Sequence, residues 1–286
     1  MRNLLGIALA GLLALGVAGS AGAATISYTG LISFGLATLP GASGTGAGVY
    51  VAPAFPAHIS TIPFTEDQFG SRDVVTQRSE LLLVPTHKIA YGPPPVTDTL
   101  RNHYKGWRIE PLPAAFAVNV DDQFTHDSLW LWEIEFLANP ARKDTSEIRR
   151  PNDHLNWYKA DGRALDLGVD FVNQFGRDTV FIDSVTHLLV PCRKEPHAAP
   201  DALLGHYKAY RIRDAVPIDR IVDIEDQFNL LPEIVDVLTP RYFLTPCTKN
   251  AEPIPPRDTH YVVYEIDPKT AVADGIKHLT QRHLAG

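Results

Sequence analysis

Cysteine is nearly absent, with two in 286 residues. That excludes a small disulfide-stapled scaffold and a Cys-rich zinc module. A basic excess is missing as well: Lys and Arg total 26 against 33 acids, for a net charge of −7, and no basic block occurs. Nucleic-acid binding needs clustered Lys and Arg to neutralise phosphates, so nucleic acid is not an expected partner. Catalytic signatures with a local form are missing too. There is no Gly-x-Ser-x-Gly elbow, no His-Glu-x-x-His and no Gly-rich phosphate loop. No cofactor or metal is indicated. Long amphipathic helical patterns are lacking, and only residues 269–285 read as a short C-terminal helix.

What the chain does have begins at its N-terminus. Arg2 is followed by an apolar run from Leu4 to Val17 and then by Ala21-Gly22-Ala23, the small-x-small pattern of a signal-peptidase site. The run is short for a membrane span, which needs about 20 residues. Residues 1–23 are therefore expected to be a cleaved signal peptide. The protein is then secreted or periplasmic, without a membrane span after cleavage. Losing Arg2 and no acid takes the net charge from −7 to −8. Residues 24–60 are Gly/Ala-rich and read either as a leader or as edge strands of the segment beyond residue 60, through Tyr28, Leu31, Phe34 and Val49-Tyr50-Val51.

The rest is one unit written four times. The first landmark is an acid or amide before Gln-Phe: Asp67-Gln68-Phe69, Asp122-Gln123-Phe124, Asn173-Gln174-Phe175 and Asp226-Gln227-Phe228. A Pro preceded by apolar residues, with Lys three positions on, is the second: Pro85 and Lys88, Pro140 and Lys143, Pro191 and Lys194, Pro246 and Lys249. The third is His with an aromatic four residues later: His103 and Trp107, His154 and Tyr158, His206 and Tyr210, His260 and Tyr264. The Gln residues step by 55, 51 and 53, the Lys by 55, 51 and 55, and the His by 51, 52 and 54. Three landmarks keeping one period define a tandem repeat.

Each unit reads as four strands. Ile221-Val222-Asp223-Ile224 alternates apolar and polar, as a half-buried strand does. Val235-Asp236-Val237 suggests a second strand, Tyr242-Phe243-Leu244 a third stopped by its Pro, and Tyr261 to Ile266 a fourth. The expected fold is all-β, four tandem units of about 50 residues. The uneven steps favour units paired into β-sandwich or barrel-like domains, residues 61–165 and 166–268, ahead of a C-terminal tail at 269–286. The alternative is a four-bladed propeller-like ring.

These landmarks resemble an uncharacterised family of secreted bacterial β-repeat proteins, known as a domain of unknown function, whose units read Asp-Gln-Phe-Gly, then Leu-x-Val-Pro-x-x-Lys, then His-x-x-x-Tyr-x-Ile. The resemblance covers about residues 61–267. Units one and three match best, with Gly70 and Gly176 after the Phe, where the other units have Thr125 and Asn229. Relatives often carry a Cys just before the strand aromatic. This chain has Gly106, Trp157, Ala209 and Val263 there, so an intra-unit disulfide is not available. The resemblance implies architecture and export, and no activity.

A group present in every unit is explained by what every unit shares, its fold. Asp67, Gln68, Lys88, His103, Asp122, Gln123, Lys143, His154, Asn173, Gln174, Lys194, His206, Asp226, Gln227, Lys249 and His260 are thus read as structural. Each His is expected to bond the facing turn of its own unit. Cys192 and Cys247 follow the landmark Pro in units three and four, and export permits a disulfide between them. His87, His187 and His197 do not recur and read as surface residues. Function is sought where units diverge, in the Pro-to-His loops 86–102, 141–153, 192–205 and 247–259. Binding candidates are Tyr91, Arg149, Arg150 and Arg257 there, and the aromatic pair Trp130 and Trp132, which reads as core sooner than as a sugar platform. The leading expectation is a non-enzymatic secreted binding or surface protein whose partner is an extracellular component. Alternatives are a hydrolase with an unrepeated Asp/His site and a metal-binding module built on the repeated His.

Overall fold

A computed structural model describes residues 24–27, 33–36, 63–89, 101–229, 232–250, 252 and 259–269. The expected signal peptide and C-terminal helix, and the binding candidates Tyr91 and Arg257, lie outside the described residues. Strands β1 (Ala24–Ser27) and β2 (Ser33–Leu36) pair with each other as a two-stranded antiparallel sheet.

The elements of the compact unit at residues 57–269 are all strands among its described residues. Unit one holds β3 (Phe64–Asp67), β4 (Gly70–Asp73), β5 (Thr76–Lys88) and the start of β6 (His103–Asp121). Unit two continues β6 and adds β7 (His126–Lys143) and β8 (His154–Ala160). Unit three has β9 (Ala164–Asn173), β10 (Gly176–Lys194) and β11 (His206–Arg213), and unit four β12 (Arg220–Glu225), β13 (Glu233–Lys249) and β14 (His260–Pro268).

The third and fourth strands of the units close a ring. Pairing runs β5–β6, β6–β7, β7–β8, β8–β10, β10–β11, β11–β13, β13–β14 and back through β14–β5, every step antiparallel. The barrel-like expectation holds in this closure. The ring is continuous through all four units, because β8 joins unit two to unit three and β14 returns to unit one. Separate propeller blades are excluded by the same continuity. The ring is not an even barrel, since β6, β7, β10 and β13 run 17 to 19 residues and leave it partway.

Where they leave, they form the hairpins of the first two strands, which lie against the outer face of the ring. Side chains alternate across a strand, so each ring strand feeds two cores. Leu81, Leu83, Phe136, Leu155, Trp157, Leu189, Ala209, Leu244 and Val263 come only from ring strands and fill its interior. Leu82, Val84, Tyr158, Leu188, Tyr210 and Val262 point outward and pack with hairpin residues Val118, Leu131, Val180 and Val235. Gly106 is set by crowding inside: a Cβ there would lie 2.8 Å from Leu81 Cβ.

The landmark prolines do not end their strands. Each lies where the fourth strand of its own unit has not yet begun, so only one side of the ladder needs its backbone. Pro85 faces Tyr261, Pro140 faces Tyr104, Pro191 faces Leu155 and Pro246 faces Tyr207. Beyond the Pro each strand finds a new partner, the hairpin from the unit two places on. Lys88 pairs with Phe171, Lys143 with Ile224, Lys194 with Thr65 and Lys249 with Val120.

Candidate functional site

The repeated polar residues converge on the four hairpin turns. In each turn the Asp or Asn side chain accepts a hydrogen bond from the Phe amide: Phe69 N to Asp67 at 2.8 Å, Phe124 to Asp122 at 3.0 Å, Phe175 to Asn173 at 2.9 Å and Phe228 to Asp226 at 3.2 Å. The same side chain meets the landmark aromatic of another unit. Tyr158 donates to Asp67 at 2.6 Å, Tyr210 to Asp122 at 3.0 Å and Trp107 to Asp226 at 2.6 Å, while Asn173 donates to Tyr264 at 3.0 Å. The Phe stands edge-on to that aromatic, at 5.1 to 5.5 Å between ring centroids. On its other side it receives a landmark Lys from a different unit, with Lys88 4.3 Å from the Phe124 ring and Lys194 4.6 Å from Phe228.

Gln and His link opposite units, and not one unit with itself. Gln68 pairs with His206, Gln123 with His260 and Gln174 with His103, at 2.9, 2.6 and 2.9 Å. Burial, with the nearby Lys charge second, lowers the pKa of His103, His206 and His260 to about 4. His154 breaks the set. Fully buried, it has no hydrogen-bond partner on either ring nitrogen, and it stands 5.2 Å edge-on from His197.

The turns come in two kinds. Gly70 and Gly176, at φ +122° and +128°, permit the two-residue loops Gln68-Phe69 and Gln174-Phe175. Units two and four have Thr125 and Asn229 instead, and their wider turns each take a fully buried Lys. Lys208 donates to Thr125 O at 3.0 Å and Asp127 at 2.7 Å, and Lys105 to Asn229 at 3.1 Å and to Glu233. Sequence reading missed both, although Lys follows two residues after the His in units one and three alone.

The expected divergent sites are distributed. Loop 141–153 is tied down: Arg149 N and Arg150 N donate to Asn102 at 2.8 and 3.2 Å, and Arg150 pairs with Asp201. Cys192 and Cys247 are buried and are not bridged to each other, since β11 lies between their strands. Trp130 and Trp132 are the reverse of core, 55% and 40% exposed, because the buried Leu131 takes the inward position.

The fourfold pattern fails most at the opposite end of the ring, around a cleft of about 410 Å³. Equivalent positions in the third strands hold Leu81, Phe136, His187 and Tyr242; those in the fourth strands hold Arg108, Lys159, Arg211 and Glu265. The cleft is lined by Trp132, Glu135, Lys159, His187, Arg211 and Tyr242, among others, from units two, three and four. His187 is buried, not a surface residue. Its Nε2 meets Glu135 Oε2 at 2.8 Å and its Nδ1 meets Thr186 Oγ1 at 2.9 Å. Burial lowers the His187 pKa and keeps the ring neutral against the pull of Glu135. Burial pushes the Glu135 carboxyl up, but hydrogen bonds from His187 and Arg108 outweigh it and hold it at about 2. A register shift between Val185 and His187 turns this segment toward the cleft.

Among the described residues no group of three or more His, Cys, Asp or Glu is arranged to hold a metal ion, and no helix is long and apolar enough to cross a membrane. A family model described as a repeat of unknown function (DUF7450) matches residues 60–191 and again residues 154–277. The chain matches no curated protein and no solved structure.

Proposed function

We propose that this chain, which belongs to the family of repeats of unknown function (DUF7450), is an exported, non-enzymatic binding protein whose ligand site is the cleft at the open end of the ring. The observation that carries this reading is where the fourfold pattern fails. The recurrent Asp, Gln, Lys and His are spent on docking hairpins to the ring. The cleft gathers Trp132, Lys159, His187 and Tyr242, each found at its position in one unit alone, with Glu135 and Arg211, which recur only in unit one as Glu80 and Arg108. Export is supported by the composition of residues 1–23, and N-terminal sequencing of the exported protein should begin at Ala24. Ligand-observed NMR against a mixed library of saccharides, peptides and small acids tests the site. Binders that lose their signal in Lys159→Glu support it, and binders indifferent to every cleft substitution overturn it.

A hydrolase is the second reading, and one chain of contacts favours it: Thr186 to His187 to Glu135, a hydroxyl, a neutral imidazole and a carboxylate in sequence. Against it, Glu135 is also bound by Arg108 at 2.7 Å and Lys159 at 3.4 Å, and His187 is 4% exposed. Hydrolysis of chromogenic esters or glycosides that disappears in His187→Ala would replace the binding reading with this one.

A further inference from the structure

We infer that the cleft and the shelf beside it take an uncharged saccharide chain, with Trp132 and Trp130 as the stacking platform. This rests on the cleft being a binding site. Of the four Trp in the chain, Trp107 and Trp157 are fully buried, while Trp130 and Trp132 face solvent. The exposed pair stands two residues apart on β7 on the side away from the buried Leu131, with Trp132 at a bulge in the ladder to β8. On the β6 side their neighbours are short. Trp130 lies opposite the exposed Ala117, and Ala115 and Pro113 on the neighbouring strand are exposed too. The result is a flat aromatic shelf, and Trp132 at its end is also a wall of the cleft. Lys159 Nζ, 5.1 Å from the Trp132 ring centroid and 2.7 Å from Glu133, holds that ring in place before any ligand arrives.

The charges select the ligand class. Each cation in the cleft already has a carboxylate. Arg211 grips Asp183 at 2.7 to 3.0 Å, Lys159 has Glu133 and Glu135, and Arg241 lies 3.9 Å from Glu265. An anionic ligand would meet the repulsion of a carboxylate already paired with its cation. A sugar hydroxyl, which donates and accepts at once, can instead bond both members of a fixed pair without breaking it. The apolar C–H face of a pyranose meets the flat Trp ring, whose burial supplies the hydrophobic part. A volume of about 410 Å³ suits a short segment of the chain, with the rest lying along the shelf.

The test is a tryptophan-fluorescence titration of the exported protein with cellohexaose, mannohexaose and maltohexaose, with hexagalacturonate as the charged counterpart. Because only the outward-facing pair can meet a ligand, emission reports on the shelf directly. The expected result is saturable binding of at least one neutral oligomer, unchanged between about 50 and about 500 mM salt. Affinity should fall about tenfold or more in Trp132→Ala, less in Trp130→Ala, and partly recover in Trp132→Phe. Circular dichroism checks that each variant is folded. Binding of hexagalacturonate alone, weakened by salt and by Lys159→Glu, would overturn the uncharged ligand and leave the cleft reading standing. So would no saccharide binding beside other ligands whose NMR signal depends on cleft residues. Saccharide binding indifferent to both Trp and cleft substitutions would overturn both.

Discussion

Gln68 and His206 meet at 2.9 Å although 138 residues separate them. The contact joins the turn of unit one to the first residue of a ring strand in unit three, and with its two counterparts it ties units across the ring. The histidines must be neutral to sit there. With folded pKa values of about 4 against about 6.5 when unfolded, the unfolded chain takes up protons first as the pH falls. Their contribution is therefore complete above about pH 6.5 and is lost progressively toward pH 4, by at most about 3 kcal/mol for each histidine. Urea midpoints measured at pH 7.5 and 4.5 should differ accordingly. A midpoint independent of pH over that range would contradict the geometry.

His154 should behave in the opposite way to its three counterparts. Its ring nitrogens are buried and unbonded, so their desolvation is uncompensated. His154→Phe is expected to be neutral or stabilising by about 1 kcal/mol, whereas His206→Phe should cost about 1 kcal/mol by losing the bond to the exposed Gln68. Equal losses at both sites in urea unfolding would show that the two histidines are held alike.

Lys208 is wholly enclosed, with Asp127 at 2.7 Å and Asp122 at 3.3 Å. Removing one member of a buried pair leaves a charge without its partner, so Lys208→Met should cost about 3 to 5 kcal/mol. Adding Asp127→Asn should return part of that loss, since it removes the stranded charge. The coupling is read from a double-mutant cycle in urea.

Both thiols should be silent in the native protein. Cys192 and Cys247 are 1% exposed and unbridged, and burial pushes the Cys192 thiol well above its usual range. A thiol reagent should find none in the folded chain and two after unfolding without reductant. Finding none after unfolding would mean that the two are bridged.

Much of the fold was legible because the period is a property of the chain alone. Strand alternation in Ile221–Ile224 and the Asp-Gln-Phe turns could be read directly. The partners of those turns could not. A tandem repeat states what each unit contains and not which copy a turn will meet, so the linkage of Gln68 to unit three, and the ring itself, needed the structure. Prolines were misread for a related reason: a missing N–H ends a ladder only where both neighbours are present, and each Pro has one. Trp130 and Trp132 looked like core by composition, yet period two places them opposite the buried Leu131. The cleft was hidden because Lys159, His187 and Tyr242 have no counterpart of their kind at the equivalent positions, and that irregularity was its only trace in the sequence.

The central claim is a division of labour: residues found in every unit hold the ring, and positions at which the units differ serve the ligand. Asp122→Ala and Trp132→Ala, measured together, test it most directly. Asp122 holds Tyr210, Lys208 and Thr245, so its loss should lower the melting temperature by about 8 °C or more. Below that temperature it should leave oligosaccharide titration of the Trp emission unchanged. Trp132→Ala should melt within about 2 °C of the native protein and lose the titration. An Asp122 variant that is folded but no longer binds, or a Trp132 variant that binds normally, would contradict the account.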